Sequence, residues 1–115
     1  MKAKTEKKLK TRLSQIWRKA KKLGFKSPEE YILFEELRKK DVDVRHNVHL
    51  RGTEIDLYIH PKLVIEVGHR DDMLLKKWYE FEKEGFSFLY FSNIEIRDPS
   101  ILKRCVDKII DELTR

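Results

Sequence analysis

Glu66 is the residue whose setting first calls for a cause. It interrupts Leu63-Val64-Ile65-Glu66-Val67, otherwise the most apolar run of the chain. Burying an ionised carboxylate costs several kcal/mol unless a cation or hydrogen-bond donors compensate it, so an acid here is either paired or part of a site. Asp56 supplies a second carboxylate. It stands in Glu54-Ile55-Asp56-Leu57-Tyr58-Ile59, where Ile55, Leu57 and Ile59 share one face of a strand and Glu54, Asp56 and Tyr58 the other. His60-Pro61-Lys62 reads as the turn between the two runs. Counting back from that turn in an antiparallel pairing sets Asp56 opposite or diagonal to Glu66, close enough for one hard cation to bridge them. Two acids and a nearby backbone carbonyl suit Mg²⁺ or Mn²⁺, which take oxygen ligands and keep several waters. The competing account is a buried ion pair between Glu66 and a basic side chain such as Arg45.

The elements that must position these acids are clearly punctuated. Ser27-Pro28-Glu29-Glu30 combines an N-cap serine, a proline at the first helical position and acids in the first turn, and opens a helix running to about Lys40. Val42, Val44, Val48 and Leu50 sit at even spacings among Asp43, Arg45 and His49, the period of a half-buried strand, and Arg51-Gly52-Thr53 follows as a turn. The continuous run at 63–67 predicts a central strand buried on both faces, ended by Gly68. Asp71 or Asp72 caps a helix to about Glu84, with Met73, Leu74, Trp78 and Phe81 inward. Residues 86–91 form a fourth strand, and Asp98-Pro99 opens a last helix with Leu102, Cys105, Val106, Ile109, Ile110 and Leu113 as its apolar stripe. The order is α-β-β-β-α-β-α.

Those residues and that order resemble the restriction-endonuclease-like superfamily, whose core is αβββαβ and whose signature is an Asp followed by Glu/Asp-x-Lys on adjacent strands. More narrowly, the chain is similar to very-short-patch-repair-type endonuclease domains over residues 27–113. The matches are Glu30 early in the first helix, Ile55-Asp56-Leu57-Tyr58, Leu63-Val64-Ile65-Glu66-Val67-Gly68-His69, and Phe91-Ser92-Asn93-Ile94-Glu95. The resemblance implies an α/β fold with a central mixed sheet, an added C-terminal helix and a basic N-terminal helix. It also implies a DNA endonuclease that hydrolyses phosphodiesters, with Mg²⁺ or Mn²⁺ held by Asp56, Glu66 and the carbonyl of Val67. The departure is Gly68, which stands where the pattern has Lys, or Asp-Gly. His69 is the first substitute, since a near-neutral histidine can position or deprotonate water. Asp71 or Asp72 at the start of the next helix, and Lys76 or Lys77 one to two turns into it and reaching back, are further substitutes, and Glu30 could orient a water or simply complement the helix dipole. A weak or inactive nucleic-acid-binding module of the same fold is the alternative.

Charge separates the chain into two parts. The 115 residues carry a net +6, yet residues 1–26 hold eleven Lys and Arg against one acid, Glu6, a balance of +10. Residues 27–115 hold the remaining 15 basic and 19 acidic side chains, a balance of −4. Leu9, Leu13, Ile16, Trp17, Ala20 and Leu23 recur at helical spacing inside the basic stretch, so it reads as an amphipathic helix and the remaining 27–115 as one endonuclease-like domain. Its Lys7, Lys8, Lys10, Arg12, Arg18, Lys19 and Lys22, with Arg45, Arg51 and Arg70 at the expected mouth, are candidate contacts to a nucleic-acid backbone, whose binding is salt-dependent. With 40% charged residues, a mean hydropathy of −0.64 and a single cysteine, the chain offers no membrane span and no disulfide, which predicts a cytoplasmic protein. Cutting both strands of DNA with so small a domain is simplest for a homodimer, with the last or the N-terminal helix as interface.

Overall fold

The computed structural model describes residues 2–115, with side chains described from Arg12 onward. Among these residues the chain forms five helices and four strands. They are α1 (Lys2–Lys22), α2 (Pro28–Lys39), β1 (Val44–Leu50), β2 (Thr53–Ile59), β3 (Leu63–Gly68), α3 (Asp72–Lys83), β4 (Ser87–Ser92), α4 (Asn93–Arg97) and α5 (Pro99–Leu113). The sheet order is β1-β2-β3-β4. The first three strands form an antiparallel meander, and β4 joins β3 in parallel after the α3 crossover, which makes the sheet mixed. This is the α/β arrangement the sequence predicts, with one addition.

Helix starts follow local chemistry. Ser27 Oγ accepts from the Glu30 N–H with Pro28 at the first helical position, Asp71 caps α3 through the Leu74 N–H, and Asp98 caps α5 ahead of Pro99. The added element, α4, is opened by a reciprocal capping box between Ser92 and Glu95. Five residues are too few for hydrophobic periodicity to reveal it.

The sheet carries two apolar clusters. Val44, Leu57, Leu63, Ile65, Leu89 and Phe91 pack with Ala20 of α1, Leu33 and Leu37 of α2, Ile96 of α4, and Cys105, Val106 and Ile109 of α5. Val64 and Phe88 pack with Leu74 and Phe81 of α3, joined by Ile55, which therefore does not share the cluster of Leu57 and Ile59 as strict alternation along β2 predicts. The consecutive residues Leu63, Val64 and Ile65 are thus shared between the clusters, as a strand buried on both faces requires. Most of the α5 stripe, Leu102, Cys105, Val106, Ile109 and Ile110, packs in this chain's own core, and Leu113 is exposed. In the described part of α1, Ile16, Trp17 and Ala20 face the core while Arg12, Arg18, Lys19, Lys21 and Lys22 are exposed.

One buried acid is fully accounted for by the fold. Glu29 is 2% exposed and its carboxylate pairs with Arg97, at 2.7 Å from Nη2 and 2.8 Å from Nε, which ties α2 to α4. Arg97→Met would leave that carboxylate without a counter-charge. A loss of about 2 kcal/mol in urea unfolding is expected, below the range for a fully enclosed pair because Arg97 faces solvent.

Candidate active site

The β2–β3 ladder runs from Ile59↔Leu63 to Leu57↔Ile65 and stops. The next pair in that register is Asp56 with Glu66, and here side chains replace the ladder. The Asp56 N–H donates to Glu66 Oε2 at 2.8 Å, and the Val67 N–H donates to Asp56 Oδ2 at 3.0 Å. Each carboxylate is seated on the other strand's backbone. On the opposite side of β2, Asn47 would face Asp56, but it has φ +56° and is missing from the β1–β2 register. Asparagine tolerates that left-handed backbone better than most residues. The sheet is therefore opened on both sides of Asp56, which explains how two acids from neighbouring strands reach one pocket.

Lys77 supplies the cation. Its ammonium makes a close ion pair with Glu66 Oε1 and donates to the Glu54 carbonyl at 2.8 Å. Leu74, Lys77, Trp78 and Phe81 occupy i, i+3, i+4 and i+7 on α3, so Lys77 lies on the helix's inner stripe, whereas Met73, expected inward, is exposed. Lys76, one residue earlier, is exposed and does not line the pocket. Arg45 is not the partner of Glu66; it is exposed on β1, opposite Tyr58.

A pocket of about 190 Å³ gathers Asp56, Glu66, Val67, His69, Asp71 and Lys77, six of the positions singled out from sequence, together with Met73, Leu74 and Tyr90. His69 is exposed at its rim. Tyr90, which the sequence did not single out, donates from its hydroxyl to the Gly68 carbonyl at 2.9 Å and so fixes the end of β3. Its signal was alternation alone: Phe88 and Tyr90 lie on the α3 side of β4, and Tyr90 falls at the pocket end.

Gly68 has φ +146°, and a Cβ there would meet nothing within 4 Å. Backbone conformation, and not space, reserves the position for glycine. A lysine here would hold a strained backbone, and the ammonium beside Glu66 belongs to Lys77 of α3. Gly68→Lys is expected to cost about 1–3 kcal/mol in stability by thermal or urea melting, with no gain in any activity of the site.

The site holds more negative than positive charge. Glu30, 3% exposed, lies outside the pocket lining, with Oε2 accepting from the Lys26 N–H at 3.2 Å. Burial first, and then the charge of Asp56, push its carboxyl up to about 8. Burial and Asp56 likewise raise Glu66 above the usual carboxylate range, while the Lys77 ion pair and the Asp56 N–H pull it back. Among the described residues no group of three or more His, Cys, Asp or Glu side chains is spaced to hold a metal. The donor set is Asp56 and Glu66 with backbone oxygens. That set fits a small hard cation that takes one or two carboxylates and keeps its waters, and the surplus negative charge favours it.

The cationic candidates are spread more widely. Arg70 is exposed in the loop between β3 and α3, on the Tyr90 side. Arg51 is a correction: it pairs with Glu84 at 2.5 Å and lies over Phe86, at the end of α3 remote from Asp71, and does not flank the pocket. Arg12, Arg18, Lys19 and Lys22 are exposed on α1 and none lines the pocket. Lys7, Lys8 and Lys10 lie outside the residues whose side chains are described.

The site thus lies in an α/β core of four mixed strands, opened at a pair of acids beside a helix-borne lysine. The fold is similar to a solved structure, the catalytic domain of the homing endonuclease I-Bth0305I, with a TM-score of 0.61 and 20% identity over 70% of this chain and 90% of that one. No protein-family profile and no curated protein matches the sequence. At that identity the likeness speaks for the fold, and the chemistry has to be argued from the residues.

Proposed function

We propose that this protein is a metal-dependent DNA endonuclease that hydrolyses phosphodiester bonds. The observation that carries the reading is the reciprocal seating of Asp56 and Glu66 across the opened β2–β3 pair, with Lys77 against Glu66. The fold shared with a homing endonuclease catalytic domain supports it. Asp56, Glu66 and the Val67 carbonyl would hold Mg²⁺ or Mn²⁺. Bound there, the cation supplies Lewis-acid polarisation of the phosphate and a lowered pKa for attacking water.

The chain's own residues divide the remaining work. Lys77 is a fixed ammonium beside the acids, placed to stabilise negative charge developing on the phosphate oxygens. His69 at the rim can take the proton of an attacking water or orient it. Tyr90 holds the strand end in place through Gly68. Glu30 stays buried, and burial and then the charge of Asp56 push its carboxyl up to about 8, so it is protonated near neutral pH. Exposed bases of α1 and Arg70 would contact the backbone, since an acidic pocket by itself repels it. With one such site per chain, cutting both strands would be simplest for a homodimer.

The test is incubation with plasmid and with short duplex, mismatched, branched and single-stranded DNAs in Mg²⁺, Mn²⁺ or EDTA. Cleavage in either metal and none in EDTA is expected. Binding without cleavage under every condition would leave a nucleic-acid-binding module and overturn the enzymatic reading.

A further inference from the structure

We propose that Lys26 is a second phosphate-binding position, taking the backbone phosphodiester next along the strand from the one at Asp56 and Glu66. The assignment rests on the nuclease reading above. Lys26 lies in the short connection between α1 and α2, and two bonds fix it against the site. Its main-chain N–H donates to Glu30 Oε2 at 3.2 Å, and its ammonium pairs with the Glu54 carboxylate at 2.9 Å.

Glu54 is the hinge of the argument. It precedes Asp56 by two residues on β2, and its carbonyl accepts from the Lys77 ammonium at 2.8 Å. One residue thus tethers Lys26 through its side chain and Lys77 through its backbone. The two ammonium groups are therefore separated by no more than the reach of one glutamate and two contacts of 2.9 and 2.8 Å. They differ in availability: the Lys26 side chain is 48% exposed and Glu54 38%, against 24% for Lys77 and 7% for Glu66. An exposed ion pair contributes little to stability, and its ammonium can exchange a carboxylate for a phosphate oxygen. A lysine so poised beside the acids has a use in binding that it lacks in folding. It also carries the cationic surface of α1 forward, four residues past Lys22, to the edge of the site.

The test is binding of a short fluorescent duplex in EDTA, where the proposed chemistry is off, across about 50 to 200 mM salt. Lys26→Ala is expected to reduce the slope of log K against log[salt] by about 0.9, one phosphate contact. Lys26→Arg should keep the slope. So should Lys39→Ala, whose lysine pairs with Glu36 at the other end of α2 from Glu30. An unchanged slope in Lys26→Ala, with binding intact, overturns the assignment alone. Equal loss in the Ala and Arg variants together with lowered melting temperatures makes Lys26 structural and also overturns it. Absence of cleavage by the unaltered protein in Mg²⁺ and Mn²⁺ overturns the nuclease reading, and this assignment with it, whereas absence of binding in EDTA overturns this assignment alone.

Discussion

Asp56→Asn and Glu66→Gln are each expected to lower DNA cleavage on the order of 10³-fold or more while leaving duplex binding within a few-fold of the unaltered protein. The amides were chosen to keep the seating intact. An asparagine at position 56 still offers a side-chain oxygen to the Val67 N–H, and a glutamine at position 66 still offers one to the N–H of residue 56, while its amide NH₂ replaces the oxygen that pairs with Lys77. What each change removes is a negative charge available to a cation. Binding is expected to hold or to tighten slightly, because the pocket repels phosphate less. Single-turnover cleavage and anisotropy on the same substrate separate the two quantities. Cleavage within tenfold of the unaltered rate in either variant would displace the metal site from this pair.

The second large effect concerns stability. An unfolded glutamate titrates near 4.5, whereas Glu30 in the folded chain titrates at about 8, pushed up by burial and by Asp56. Between those values the folded state keeps a proton that the unfolded state has released. The associated stability is fully present below about pH 4.5 and is lost as pH rises through 8. Glu66 acts in the same direction. Between pH 5 and 8 the loss is expected on the order of 3 kcal/mol. Glu30→Gln should remove most of this slope and make the protein more stable than its parent at pH 8, with little difference at pH 4.5. Mg²⁺ or Mn²⁺ should also raise the melting temperature at pH 8, since a cation at the acids neutralises the charge that disfavours ionisation. Chemical denaturation at a series of pH values checks the sign. Stability that rises from pH 5 to 8 in the parent would show that Glu30 is ionised in the folded state.

Much of this architecture was legible in the sequence because it rests on short-range signals. The strand of Asp56 and the strand of Glu66 were set by two-residue alternation and one apolar run, and the Pro61 turn fixed their register, so the meeting of the two acids followed from counting. Helix starts were written in Ser27-Pro28, Asp71 and Asp98-Pro99. What escaped depended on backbone angles and on distant packing. Nothing local marks Asn47 as the residue that opens the ladder beside Asp56. Arg51 was placed at the mouth because a turn residue has no periodicity to orient it, and its carboxylate partner Glu84 is 33 residues away. Lys26 reads as the tail of a basic helix until α2 and β2 bring Glu30 and Glu54 around it. The choice between Lys76 and Lys77 was open to inspection, since only Lys77 continues the 74-78-81 stripe.

Gly68 and Lys77 together bear on how relatives of this protein are to be recognised. A search written as letters along one strand scores Gly68 as a missing functional group. A search written as positions in space finds the ammonium present, nine residues later and on a different element. Splitting a motif this way loosens its grammar, because the strand is answerable only for the carboxylates and the helix only for the cation. Chains that share this division should then be sought by an acid on each of two adjoining strands and a lysine on the inward stripe of the crossover helix, with no fixed spacing between them.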